Sequence, residues 1–92
     1  MKLLAVCGFG VGSSMILKMS MDKAFKALNV DAEVANTDVA SARGERCDAI
    51  FTSQELADEL RNSVQVPVYA VKKYMDVKEV TAVIQQYLED IK

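Results

Sequence analysis

Apolar and polar positions along the chain alternate between two periods. Leu3-Leu4-Ala5-Val6 is a continuous apolar run ending at Cys7, the pattern of a parallel strand buried on both faces. Past the glycines at 8, 10 and 12 the period changes. Leu17, Met21, Ala24, Phe25 and Leu28 recur at helical spacing on one face, with Ser13 or Ser14 as the expected cap and Asn29 as the stop. Asp31–Asn36 sets Ala32 and Val34 against Glu33 and Ala35, which predicts a half-exposed edge strand. Thr37 and Asp38 are expected to cap a short helical turn before Gly44. Asp48–Thr52 carries Ala49, Ile50 and Phe51 as a third strand, and Ser53 caps a helix bearing Leu56, Ala57 and Leu60. Val66–Val71 is the fourth strand. Its Pro67 has no N–H for a ladder and belongs at an edge or a strand start. Asp76 and Glu79 form a capping-box pattern ahead of a last helix with the stripe Val77, Val80, Ile84, Tyr87, Leu88 and Ile91.

The order β-α-β-α-β-α-β-α predicts a single α/β domain over residues 1–92: a four-stranded parallel sheet with helices on both faces. The first strand is the most apolar and takes the centre. The alternating second strand and the proline-bearing fourth take the edges, so the expected spatial order is 2-1-3-4, a Rossmann-like arrangement. Its topological switch lies beside the first strand, where ligands bind outside the carboxyl ends of strands. Cys7 sits at that point.

Composition narrows the function classes. The 92 residues are 51% hydrophobic and 26% charged, as in an ordinary soluble domain. A net charge of −2 without a basic cluster gives no reason to expect nucleic acid. No apolar run approaches the roughly 18–20 residues that span a bilayer, so membrane insertion is not expected. The early glycines argue against a secretory leader, and the expected location is cytoplasmic. There is no histidine. That removes a Cys–His catalytic pair, a histidine metal ligand and a phosphohistidine within the chain. No metal or other cofactor is expected. The two cysteines, Cys7 and Cys47, lack metal-type spacing, and a reducing compartment disfavours joining them.

The chemistry concentrates in Cys7-Gly8-Phe9-Gly10-Val11-Gly12-Ser13-Ser14. Cysteine attacks as the thiolate. A helix N-terminus and converging backbone amides both favour an anion there. Glycines at 8, 10 and 12 permit close approach of backbone to a phosphoryl oxygen, and Ser13 and Ser14 add hydroxyls. Such a cradle stabilises a thiolate, a bound phosphate and a phosphoryl-transfer transition state. The plain alternative is a buried cysteine before a tight glycine turn. Dinucleotide and P-loop motifs fail on spacing: the loop reads G-x-G-x-G-S, and Ser13 stands where a P-loop has lysine. The nearest rival is a low-molecular-weight cysteine phosphatase, whose C-x5-R loop clamps phosphate with arginine. Here that position is Ser13. A site that accepts phosphate but hydrolyses it poorly suits passing it on.

That loop at the end of the first strand resembles the phosphorylation loop of phosphotransferase-system enzyme IIB components, the ascorbate-type branch above all. The galactitol branch is the nearest alternative, and the lactose/cellobiose branch lacks this density of glycine. The resemblance extends over essentially the whole chain. It implies a transferase of a phosphoenolpyruvate-dependent sugar-import relay. Cys7 would take a phosphoryl group from the phosphohistidine of a IIA protein or domain, and pass it to a substrate, L-ascorbate in that branch, imported by the membrane IIC permease. Gly8, Phe9, Gly10, Val11, Gly12, Ser13 and Ser14 would bind the phosphate.

Other residues have plainer readings. Cys47 precedes a strand at the far end of the sheet and is read as structural. Phe9 either packs inward or contacts a partner. Met15 and Met19 lie off the core stripe; ordinary packing competes with an adaptable partner surface. Asp38, Thr52 and Ser53 share the sheet edge of Cys7 and are read first as caps. Lys72, Lys73 and Lys78 are read as a solvated surface rather than a docking site for an acidic partner.

Overall fold

A computed structural model describes residues 1–7 and 11–91, without the side chains of residues 11–13. The described elements run β1 (Lys2–Val6), α1 (Val11–Ala27), β2 (Glu33–Thr37), α2 (Val39–Gly44), β3 (Ala49–Thr52), α3 (Gln54–Arg61), β4 (Val68–Ala70) and α4 (Val77–Asp90). The sheet is parallel and ordered β2-β1-β3-β4. The strand chemistry foretold that order. β1 and β3 are apolar on both faces and sit inside, while β2 alternates and takes an edge. Pro67 precedes β4, where its missing N–H costs no ladder bond, and its carbonyl accepts from Ile50 N at 3.0 Å.

Two cores follow from the period-2 alternation of side chains. Leu3 and Ala5 of β1, with Ala49 and Phe51 of β3, pack against Leu17, Met21, Ala24 and Phe25 of α1 and Val80, Ile84 and Tyr87 of α4. Leu4, Val6, Ile50 and Val68 face the other way onto Ala42 of α2 and Ala57 and Leu60 of α3. Across the β3–β4 pair, Phe51 stacks on Tyr69 with centroids 5.3 Å apart, and Tyr87 meets both rings edge-on.

The helix ends match the sequence reading in several places. Asp38, Ser53 and Asp76 cap α2, α3 and α4 through their side-chain oxygens. Asn29 ends α1 at φ 58°, in the left-handed region, with Val30 N bonded to Phe25 O and Asn29 N to Lys26 O. That pair of bonds is a Schellman closure.

Four details correct it. Helix α1 begins at Val11, so Ser13 and Ser14 stand inside its first turn rather than at its cap. Thr37 completes β2 opposite Val6, leaving the α2 cap to Asp38 alone. Glu79 does not close the capping box onto Asp76. Its carboxylate reaches instead to the backbone N–H groups of Lys72 and Lys73. Ile91 lies past the last turn of α4 and is exposed, because it follows the buried stripe beyond the sheet it packs on.

Candidate functional site

Cys7 follows the last residue of β1 at the carboxyl edge of the sheet. β1 and its neighbour β3 lead into α1 and α3 on opposite faces of the sheet, which opens the crevice expected at a topological switch. Only 5% of Cys7 is exposed. It lines an open cleft of about 400 Å³ with Ser53, Gln54 and Glu55 at the start of α3, and Val71, Lys72 and Tyr74 after β4. The backbone leading to the cysteine is held from the side: buried Thr52 donates its hydroxyl to Val6 O at 2.8 Å. Val71 N bonds Thr52 O at 2.7 Å, which fixes the opposite wall.

One helix N-terminus lines this cleft and a second follows Cys7 closely in the chain. α3 presents its first turn directly, and α1 starts four residues after Cys7. The first four N–H groups of a helix lack an intrahelical acceptor and carry partial positive charge. In α1 those include the amides of Val11, Gly12 and Ser13. Gly12, expected in the loop, is helical. The Ser14 side chain is buried and its oxygen accepts from Asn36 Nδ2 at 3.5 Å. Gly8, Phe9 and Gly10, the remaining expected phosphate-binding residues, lie outside the described residues.

The loop between β4 and α4 carries a residue that sequence reasoning passed over. Tyr74 is half-buried in the cleft, and its hydroxyl interacts with those of Ser53 and Thr52 and with the Cys7 thiol. Burial first, and then the cysteine, push its phenol upward from the ordinary value, with Ser53 and Thr52 acting the other way. The hydroxyl therefore stays protonated near neutrality. The available signal was topological: in a parallel sheet, whatever follows β4 stands at the same edge as whatever follows β1.

Cys47 sits at the opposite edge. Burial, then the carboxylates of Asp48 and Glu45, push its thiol up and disfavour the nucleophilic form. Around the reactive edge, Met15 and Met19 are 50% and 53% exposed, Met75 is 78% exposed, and Ile16 is exposed between them. Ile16, Met19 and Met75 line two shallow grooves with Lys23, Lys72 and Lys73. Lys72 and Tyr74 belong to both the first groove and the Cys7 cleft, so apolar surface runs up to the cysteine. Among the described residues no cluster of metal-ligating side chains occurs.

The family described as "PTS system, Lactose/Cellobiose specific IIB subunit" matches residues 2–86. The chain belongs to that family. An "Ascorbate-specific PTS system EIIB component" from Mycoplasma pneumoniae is 27% identical over 88 residues, covering 94% of this chain and 93% of the relative. The component of the same name from Escherichia coli O157:H7 is 39% identical over 61 residues, covering 64% of this chain and 60% of its own length. The lactose-specific IIB component domain from Streptococcus pneumoniae superposes with TM-score 0.67 at 17% identity, over 100% of this chain and 98% of that one. An enzyme IIB subunit from Escherichia coli K12 gives 0.54 at 16% identity, over 98% and 91%. These two likenesses speak for the fold. This IIB subunit shares with both the four-stranded sheet that puts Cys7 at its switch point. Among its described residues no helix is long and apolar enough to cross a membrane.

Proposed function

We propose that this IIB subunit is a phosphocarrier whose phosphorylated residue is Cys7. The observation that carries the reading is the place of Cys7: at the end of the central strand, nearly buried, in a cleft lined by the first turn of α3, with α1 starting four residues after it. In the first step the Cys7 thiolate attacks the phosphorus of a phosphohistidine on a IIA protein. The S–P bond forms, the P–N bond breaks, and the imidazole nitrogen keeps the electron pair and takes up a proton. In the second step a substrate hydroxyl attacks phosphorus. The O–P bond forms, the S–P bond breaks, the thiolate returns, and the hydroxyl proton passes to water. Helix amides at the start of α1, with Gly8, Phe9 and Gly10, hold the phosphoryl oxygens. Electrostatic holding of that kind is most of what phosphoryl transfer asks of a protein.

The described cleft contains Lys72 but no arginine, and Ser13 stands where a cysteine phosphatase has its clamp. Both favour a carrier over a hydrolase. L-ascorbate as the final acceptor, delivered through a membrane IIC permease, is supported by the names of the relatives. Work on the cytoplasmic side follows from those partners. The exposed Met15, Ile16, Met19 and Met75 beside the cleft suit repeated contact with two different proteins.

The test is to charge the subunit from phosphoenolpyruvate through the upstream relay and IIA, then map the label. Cys7→Ser is expected to abolish an alkali-stable, iodine-labile phosphothiol, while Cys47→Ser retains it. Label persisting in Cys7→Ser would overturn the assignment. Release of the label as ascorbate phosphate on membranes bearing an ascorbate permease, and not a galactitol one, tests the substrate.

A further inference from the structure

We infer that Tyr74 is a catalytic residue of the Cys7 site, its hydroxyl donating a hydrogen bond to the cysteine sulfur before transfer and to a phosphoryl oxygen after it. The inference rests on Cys7 being the phosphorylated residue.

Three features support it. Tyr74, Cys7 and Ser53 line one cleft, and the cysteine is among the groups that act on the phenol. The loop bearing Tyr74 is fastened at every side although it lies at the surface. Buried Ser20 of α1 donates to Tyr74 O at 2.6 Å. Glu79 of α4 accepts from the backbone of Lys72 and Lys73, and Asp76 N bonds Lys73 O at 3.1 Å. A loop tied to both helices of one face presents its side chain in a fixed position, which is what a preorganised donor requires. Finally, the phenol is held neutral by burial, so it keeps a proton to donate. Ser53 accepts from Leu56 N and keeps its own O–H to give to the phenol oxygen, whereas the Thr52 O–H is already given to Val6 O. No proton changes owner: the O–H bond stays intact as negative charge moves from sulfur to the phosphoryl oxygens.

The charged and titratable groups around Cys7 are Glu55 from α3 and Lys72 and Tyr74 from the β4–α4 loop. Asp38, at the same sheet edge, is engaged with Ser41 as the α2 cap. The test uses the full chain in a Cys47→Ser background, leaving one thiol. Tyr74→Phe keeps the ring and removes the donor. The expected results are slower alkylation of Cys7 at one fixed pH and transfer from phospho-IIA slowed about 10- to 100-fold. Ser20→Ala, which releases the loop carbonyl and keeps the phenol, is expected to slow both by less. Alkylation and transfer rates for Tyr74→Phe equal to those of the parent overturn the inference. If the parent itself takes no label on Cys7, the carrier reading fails, while the alkylation rate still reports whether Tyr74 bonds the sulfur.

Discussion

At the residue scale, the position of the sulfur depends on a side chain far from it in sequence. Thr52 ends β3, yet its hydroxyl holds the carbonyl of Val6, the residue before Cys7, at 2.8 Å. Both partners are fully buried. Thr52→Val keeps the volume and removes the bond. The expected cost is about 1–2 kcal/mol in urea unfolding, with slower phosphorylation of Cys7 because the strand end is no longer fixed. Equal stability of parent and variant would mean that the bond contributes nothing. Cys7 itself was legible from sequence, since an apolar run ending in cysteine before glycines has one natural place in a parallel sheet. Thr52 was read only as a cap or rim residue, and Tyr74 was not read at all. Their contacts span 46 residues for Thr52 and 67 for Tyr74, and no local pattern encodes a contact at that separation.

At the element scale, boundaries set by backbone geometry were more legible than those set by competition among donors. Asn29 was expected to stop α1, and its φ of 58° is the reason a helix ends there. Asn29→Ala should destabilise by about 1 kcal/mol because alanine lacks the polar side chain that lets asparagine tolerate the left-handed region, whereas Asn29→Gly, which has no Cβ, should hold or raise stability. Matching urea midpoints for the two variants would remove the conformational argument. The start of α1 was misplaced because serine is a good cap anywhere; helix-favouring contacts of Leu17 and Met21 with β1 and β3 do not reveal how far the helix extends toward Cys7. Glu79 was misassigned for a related reason. Two N–H groups of the β4–α4 loop compete for its carboxylate with that of Asp76, and the loop wins. The same competition fastens the loop that carries Tyr74.

At the scale of the whole molecule, strand chemistry was enough to order the sheet, because burial on two faces leaves few choices for β1 and β3. The aromatic group of Phe51, Tyr69 and Tyr87 then ties the β4 edge to α4. It also makes stability depend on pH. Burial, with the hydrogen bond from Tyr69 to Asp90 at 2.6 Å, pushes the Tyr69 phenol from 10.0 up to about 12. Its contribution is therefore complete below pH 10 and lost as pH rises from 10 toward 12. The same bond, then Gln86, lowers the Asp90 carboxyl from 3.8, so its contribution is present above that pH and fades below it. Thermal unfolding between pH 8 and 12 should show a smaller alkaline loss in Tyr69→Phe than in the parent. Parallel curves would exclude Tyr69 from the effect. Tyr74 and Tyr87 are also raised by burial and contribute the background common to both proteins.

The placement of the two cysteines has a consequence for oxidative damage. Cys7 follows one end of β1, whereas Cys47 precedes Asp48, whose N–H bonds Lys2 O at the other end. At strand rise the two are separated by roughly 20 Å, against the Cα separation under about 7 Å that a disulfide requires. Cys47 is therefore out of reach as a resolving thiol for Cys7. A sulfenic acid formed at Cys7 under peroxide would wait for a small-molecule thiol or a second protein, and until one arrived that sulfur could accept no phosphoryl group.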